Sequence, residues 1–98
     1  MSIEMPVEAI RRGVRVRLHY DGFSRTVEVH TVDMTHAGRQ SMSVFQVSGG
    51  SATGDGYGWK LMSMDKSRGM SLTDSPSGAP RQGFQRGDKR MQRIIAEM

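Results

Sequence analysis

Residues 14–20, VRVRLHY, decide the fold of this chain. Apolar side chains alternate there with basic ones, which is the period of a strand that has one buried and one solvated face. Asp21-Gly22 follows at once and supplies the chemistry of a tight two-residue turn. The segment therefore predicts the first strand of a hairpin, with a core face made by Val14, Val16, Leu18 and Tyr20.

Four more strands are expected downstream, each bounded by turn residues, at residues 24–34, 41–47, 57–62 and 70–72. In the strand at 57–62, Leu61 is expected in the core and Lys60 in solvent, because neighbouring side chains of a strand leave opposite faces. The glycine-rich loop 49–56 is expected to be a flexible connection. It has no Gly-Lys-Ser/Thr ending and no helix after it, which a phosphate-binding loop of the nucleotide-hydrolase type requires.

Both ends of the chain are expected to be helical. Pro6 favours the start of a short helix, and Gly13 favours its end. Residues 75–83 are rich in Ser, Pro and Gly, which is typical of an irregular linker. Asp88 then provides an N-cap for a second helix over residues 89–97.

These elements predict a mainly β protein, a small antiparallel five-stranded barrel with a short N-terminal helix and a C-terminal helical tail. An open α+β sheet is the closest alternative. The barrel domain is expected over residues 1–74, followed by a linker and a short basic helix over residues 75–98. This tail could serve as an arm that contacts nucleic acid, or it could pack Ile94 and Ile95 back on the barrel.

The composition restricts the classes of function. The 98 residues include no cysteine, which excludes a disulfide framework, a thiolate nucleophile and a Cys-based zinc site. Secreted domains of this size usually need disulfides, so a cytoplasmic location is expected. No apolar run approaches the roughly 20 residues of a membrane helix, so no membrane partner is expected. The formal net charge of +4 suits a nucleic acid or another anionic partner.

Catalysis and metal binding are not expected. No nucleophile–base pair and no pair of carboxylates stands out along the chain. His19, His30 and His36 lie 11 and 6 residues apart, and these spacings match no compact metal-binding motif. The sequence therefore predicts no catalytic residue, no metal site and no cofactor.

Several segments occur in an order that is known from one family. RRG at residues 11–13 ends the leading helix, SRTVEV occupies residues 24–29, and WKL at residues 59–61 precedes a helical turn. Over residues 7–72 this order resembles the WYL domain of bacterial regulators, a small Sm-like barrel, in divergent form. Where the family carries its Trp-Tyr-Leu tripeptide, this chain has VFQ at residues 44–46. The resemblance implies a regulatory module that senses a ligand or binds nucleic acid.

A basic face of the first strand is the strongest candidate for a binding surface. Arg15 and Arg17 are two residues apart and share a face, and His19 extends the row. Guanidinium groups present forked donors to phosphate or carboxylate, and aromatic rings can stack on bases. The candidate ligand or nucleic-acid site comprises Arg15, Arg17, Arg25, Tyr57, Trp59 and Lys60. The alternative is an ordinary solvated face whose arginines pair with Glu28 across the strands, with Trp59 in the core.

Two classes of function remain open. The first is a non-enzymatic binding or regulatory module that holds a nucleotide, a nucleic acid or another anion on the basic face. The second is a protein-interaction or self-assembly module that uses an exposed strand edge or a methionine-rich surface. That surface would include Met62, Met64 and Met70.

Overall fold

The described part of the chain contains one α-helix, one 3-10 turn and six strands. The structure is a computed structural model and describes residues 3–35, 38–51, 54, 56–84 and 91–97. The elements are α1 (Glu4–Arg12), β1 (Val14–Tyr20), β2 (Phe23–Thr35), β3 (Gln40–Gly49), β4 (Gly58–Ser63), a 3-10 turn (Met64–Lys66), β5 (Ser67–Pro76) and β6 (Met91–Glu97). The mainly β architecture with a short N-terminal helix is as the sequence predicts.

The leading helix ends where glycine permits it. Gly13 follows α1 in a left-handed conformation, with φ of 66°. Its backbone N–H donates to the carbonyls of Ala9 and Ile10, at 2.9 and 3.3 Å. These bonds satisfy carbonyls that the end of a helix leaves without partners. The chain leaves the helix directly into β1, and Ala9 is buried against the sheet.

The hairpin expected from residues 14–20 is present. Tyr20 pairs with Phe23, so only Asp21 and Gly22 lie between the two strands. Both turn residues have positive φ, 52° and 82°, as a type I′ turn requires. The other strand pairs are antiparallel as well, and the sheet order is β4-β3-β2-β1-β5, with β6 paired to β2.

A bulge in the long strand β2 keeps its apolar residues on one face. Val29 pairs with Val44, but Thr31 pairs with Ser43, so His30 is an extra residue on the β2 side. This insertion reverses the alternation, and Val32 returns to the same face as Val29. The core on that face contains Ala9, Val16, Leu18, Val27, Val29, Val32, Met42, Val44, Met62, Met64 and Met70.

Two details of the expected fold are wrong. The sheet is open, because no described residues of β4 and β5 pair with each other to close a barrel. The C-terminal segment forms strand β6 in place of the expected helix. Strand β1 pairs with one edge of β2 only as far as Val27. The same edge is free over residues 31–35, and β6 pairs with it there. This tertiary pairing overrides the weak helical preference of a short segment.

Candidate functional site

The predicted site residues divide between the two faces of the sheet. Phe45 pairs with Trp59, and the side chain of Arg15 reaches Glu28, so these side chains lie on the face opposite the core, here called the outer face. Lys60 pairs with Val44 and therefore shares the inner, core-side face. The structure does not bring all the predicted residues together. They form an outer set, Arg15, Arg17 and Trp59, and an inner set, Arg25 and Lys60.

The expected orientation of β4 is reversed. Leu61 is 44% exposed, and Lys60 is half-buried. Met62 pairs with buried Met42 and enters the core. Its neighbour Leu61 therefore points to the opposite face. Tyr57 lies just before the strand, is exposed, and meets the ring of Phe45 edge-on.

Glu28 is the most heavily hydrogen-bonded carboxylate of the outer face. It is completely buried and accepts bonds from Arg15 Nε at 3.0 Å, Arg81 Nε at 2.6 Å and the backbone N–H of Gly78 at 2.6 Å. Burial alone raises its pKa, but the bonds from Arg81, Gly78 and Arg15 outweigh burial and lower the pKa to about 2. Arg15 thus forms the cross-strand pair with Glu28 that the alternative interpretation expects.

His30 is held in one tautomer beside this carboxylate. Its Nε2 accepts the backbone N–H of Arg81 at 2.9 Å, so the proton resides on Nδ1, which lies 3.0 Å from the carbonyl oxygen of Glu28. Burial lowers the pKa of His30 below its usual value. The ring is therefore neutral in this arrangement.

Residues 77–84, here called the strap, cover the aromatic part of the outer face. Trp59 Nε1 donates to the carbonyl of Gln82 at 2.9 Å, and its ring stacks on Phe84 at 6.4 Å with an interplanar angle of 15°. Arg81 lies over the ring of Phe45 at 4.9 Å. The strap therefore covers the part of Trp59 that could stack on a base. Its residues, most of which were expected to form an irregular linker, make specific contacts with the sheet.

A different part of the outer face is open and basic. Arg17 and His19 are exposed on β1, and exposed Arg68 on β5 pairs with His19. We call Arg17, His19 and Arg68 the basic patch. Among the described residues, no carboxylate forms an ion pair with any of the three. Arg68 Nη1 donates to the backbone carbonyls of Asp65 and Ser67, at 2.9 and 3.2 Å, and these neutral acceptors orient the guanidinium without neutralising it.

Hydroxyl groups and a cleft adjoin the basic patch. Arg17 pairs with Thr26 and Ser71, and His19 pairs with Ser24, so neutral hydroxyls flank the cations along the outer face. A cleft of about 400 Å³ opens beside His19 and Arg68. Its charged lining consists of His19, Lys66, Arg68, Asp21 and Asp65. The patch and the neighbouring hydroxyls offer positive charge and hydrogen-bond donors to an anion.

Arg68 was not predicted as a binding residue, because the fifth strand was expected to begin at Met70. The strand begins at Ser67 and bulges between its pairings with Arg17 and His19, where Gly69 has φ of 57°. The bulge that brings Arg68 beside β1 depends on the pairing itself and leaves no periodic pattern.

No family model, curated protein or solved structure matches this chain. Within the described residues, no helix is long and apolar enough to cross a membrane. The same residues contain no group of three or more His, Asp or Glu side chains that could hold a metal ion.

Proposed function

We propose that this chain is a non-catalytic, WYL-like binding module, and that its basic patch holds the phosphate groups of a nucleotide or nucleic acid. One observation carries the proposal: exposed Arg17 and Arg68 make no ion pair with a described carboxylate. Other arginines do have carboxylate partners: Arg15 and Arg81 pair with buried Glu28, and Arg11, Arg12 and Arg39 form surface ion pairs. Two exposed guanidinium groups that form no ion pair remain available to attract an anion.

The chemistry of the patch favours phosphate contacts over base reading. Guanidinium forks match phosphate oxygens, and the hydroxyls of Ser24, Thr26 and Ser71 can donate further hydrogen bonds. The aromatic ring best suited to stacking, Trp59, is covered by the strap. Binding through the patch should therefore depend on the charge of the ligand and little on its base sequence.

Chemical-shift mapping of the full chain tests this placement. Unlabelled oligothymidylate or AMP is added to isotopically labelled protein at low salt. We expect the largest shifts at Arg17, His19 and Arg68 and at the strand residues paired with them, with small shifts in α1. Shifts confined to another surface, or no shift at low salt, would reject the proposed site.

Protein interaction is a second candidate, and it rests on the edge of β4. That strand pairs with β3 on one side only among the described residues, and Leu61 on it is 44% exposed. An open edge with an apolar side chain can add a strand from a partner or a second copy. The methionine-rich surface does not contribute, because Met62, Met64 and Met70 are buried in the core. Sizing by light scattering over a range of protein concentrations distinguishes self-assembly at this edge from a monomer.

A further inference from the structure

Arg25 is an arginine inside the protein that lacks an acidic partner. It pairs with Leu18, which places it on the inner face of the sheet, and it is only 5% exposed. Its Nε is buried and makes no hydrogen bond. No described carboxylate forms an ion pair with it. Proteins rarely bury a charge in this way, because an unpaired buried ion is costly.

The neighbours of Arg25 fix its orientation and leave Nε without a hydrogen-bond partner. Nη1 donates to the side-chain oxygen of Gln46 at 3.2 Å, and Gln46 Nε2 donates in turn to the carbonyl of Gly50 at 3.2 Å. The ring centroids of Tyr20 and Phe23 lie 5.2 and 5.7 Å from the guanidinium carbon. These rings offset part of the charge. Nε makes no hydrogen bond, and together with Nη2 it forms the edge through which an arginine binds two oxygens of a carboxylate or phosphate side by side.

Phe23 is the more exposed of the two rings beside this guanidinium. It is 36% exposed, and its ring packs against Gly50 so closely that a β-carbon at that position would overlap it. The neighbouring Gly49 has φ of 107°, and a β-carbon there would collide with the backbone of Ser24 and Arg25. Two glycines thus let the chain lie flat against Arg25 and Phe23. Because Nε is buried, a ligand can reach it only when a neighbouring side chain such as the partly exposed Phe23 moves.

We propose that Arg25 is a second, internal anion site that binds the oxyanion group of a small molecule, a carboxylate or a phosphate monoester. Nε and Nη2 donate to two oxygens of the group, and the rings of Tyr20 and Phe23 flank it. The site lies on the inner face, whereas the basic patch lies on the outer face. Anion binding at Arg25 therefore does not depend on polyanion binding at Arg17 and Arg68.

Thermal unfolding of the full chain tests the site. Melting temperatures are measured in inorganic phosphate and in acetate against chloride at the same ionic strength. We expect at least one oxyanion to raise Tm saturably, by about 5–10 °C at roughly ten times its Kd. The two arms distinguish a phosphate site from a carboxylate site. Arg25→Met should abolish the rise while leaving Tm in chloride unchanged or higher, because it removes an uncompensated buried charge.

Arg17→Met is the matched control, since it removes an exposed arginine from the other face and should leave the rise intact. A wild-type Tm that responds to neither oxyanion beyond chloride overturns the proposal, and so does an Arg25→Met variant that responds as the wild type does. If Arg25→Met fails to fold, the Nε–H resonance of Arg25 in the wild-type protein decides. Its shift on addition of phosphate or acetate supports the site, and an unchanged resonance overturns it.

Discussion

The backbone N–H of Arg81 donates to Nε2 of His30 at 2.9 Å, and this bond joins the strap to the central strand of the sheet. An imidazolium carries protons on both nitrogens and cannot accept it. The strap also carries Gln82 and Phe84, which contact Trp59. The protonation of His30 is therefore coupled to the contacts that the strap makes with Trp59, the only tryptophan in the chain.

The first prediction concerns pH. Burial lowers the pKa of His30 from 6.5, so the folded protein binds this proton less readily than the unfolded chain does. The stability that depends on neutral His30 is complete above pH 6.5 and is lost as the pH falls through the lower folded pKa. We expect the fluorescence of Trp59 to change as the pH falls below 6.5, reporting loss of the strap contacts.

His30→Gln should remove this fluorescence change, because an amide does not titrate in the range. His19→Gln is the control, since it removes an exposed histidine from the same sheet and should leave the change in place. A pH profile of Trp59 fluorescence that is the same in His30→Gln and in the wild type would show that another group is responsible.

The second prediction concerns Glu28. Glu28→Gln removes the charge that Arg15 and Arg81 both contact, and breaking a buried ion pair costs about 3–5 kcal/mol of unfolding free energy. Urea denaturation measures the loss. Glu8→Gln is a matched control, because Glu8 also pairs with two arginines but does so on the surface of α1. There we expect less than about 1 kcal/mol. Equal losses in the two variants would refute the internal role of Glu28.

Acid should reproduce the effect of Glu28→Gln. The pKa of Glu28 is lowered from 4.5 to about 2, so its contribution to stability is complete above pH 4.5 and is lost as the pH falls toward 2. The stability difference between the wild type and Glu28→Gln should therefore shrink over that range. A difference that stays constant from pH 5 to pH 2.5 would contradict the low pKa.

The third prediction separates two leucines. Leu18 is completely buried, so Leu18→Ala should lower the unfolding free energy by roughly 2–5 kcal/mol. Leu61 is 44% exposed, so Leu61→Ala should change it by about 0.5 kcal/mol or less. Urea denaturation of both variants provides the measurement. A larger cost at Leu61 than at Leu18 would show that β4 has the orientation expected from its sequence alone.

The hairpin was predictable because its signals are local. Alternation over residues 14–20 and the Asp21-Gly22 turn each specify the same register, and the structure has that register. The face of β4 was not predictable, because Leu61 and Met62 are both apolar and either could enter the core. Only the partner Met42 across the strand pair decides between them.

Non-local contacts also limit what could be predicted of the candidate site. Arg17 was identified from its alternation with Leu18, and it is exposed as expected. The strap has the Ser, Pro and Gly content of a linker. The sequence of residues 77–84 alone does not indicate that Gly78 and Arg81 bind Glu28. Strand β6 is likewise specified by the side of β2 that β1 leaves open. Such partners lie about 50 residues or more away along the chain, beyond any periodic pattern.

The salt dependence of oligothymidylate binding is the most direct measure of phosphate contacts at the basic patch. If the basic patch contacts phosphates, the logarithm of the binding constant falls with the logarithm of salt concentration by about 0.7 for each contact. The double variant Arg17→Ala/Arg68→Ala should lose two contacts and flatten the slope by about 1.4. The control Arg11→Ala/Arg12→Ala removes the same charge from α1, where Glu8 already pairs with both arginines, and should keep the wild-type slope.

Fluorescence anisotropy of a labelled oligothymidylate, measured across a salt series, provides all three slopes, and circular dichroism verifies that each variant is folded. We expect a flatter slope for Arg17→Ala/Arg68→Ala alone. A folded Arg17→Ala/Arg68→Ala variant that binds with the wild-type slope, or a wild-type chain that does not bind even at low salt, would contradict it.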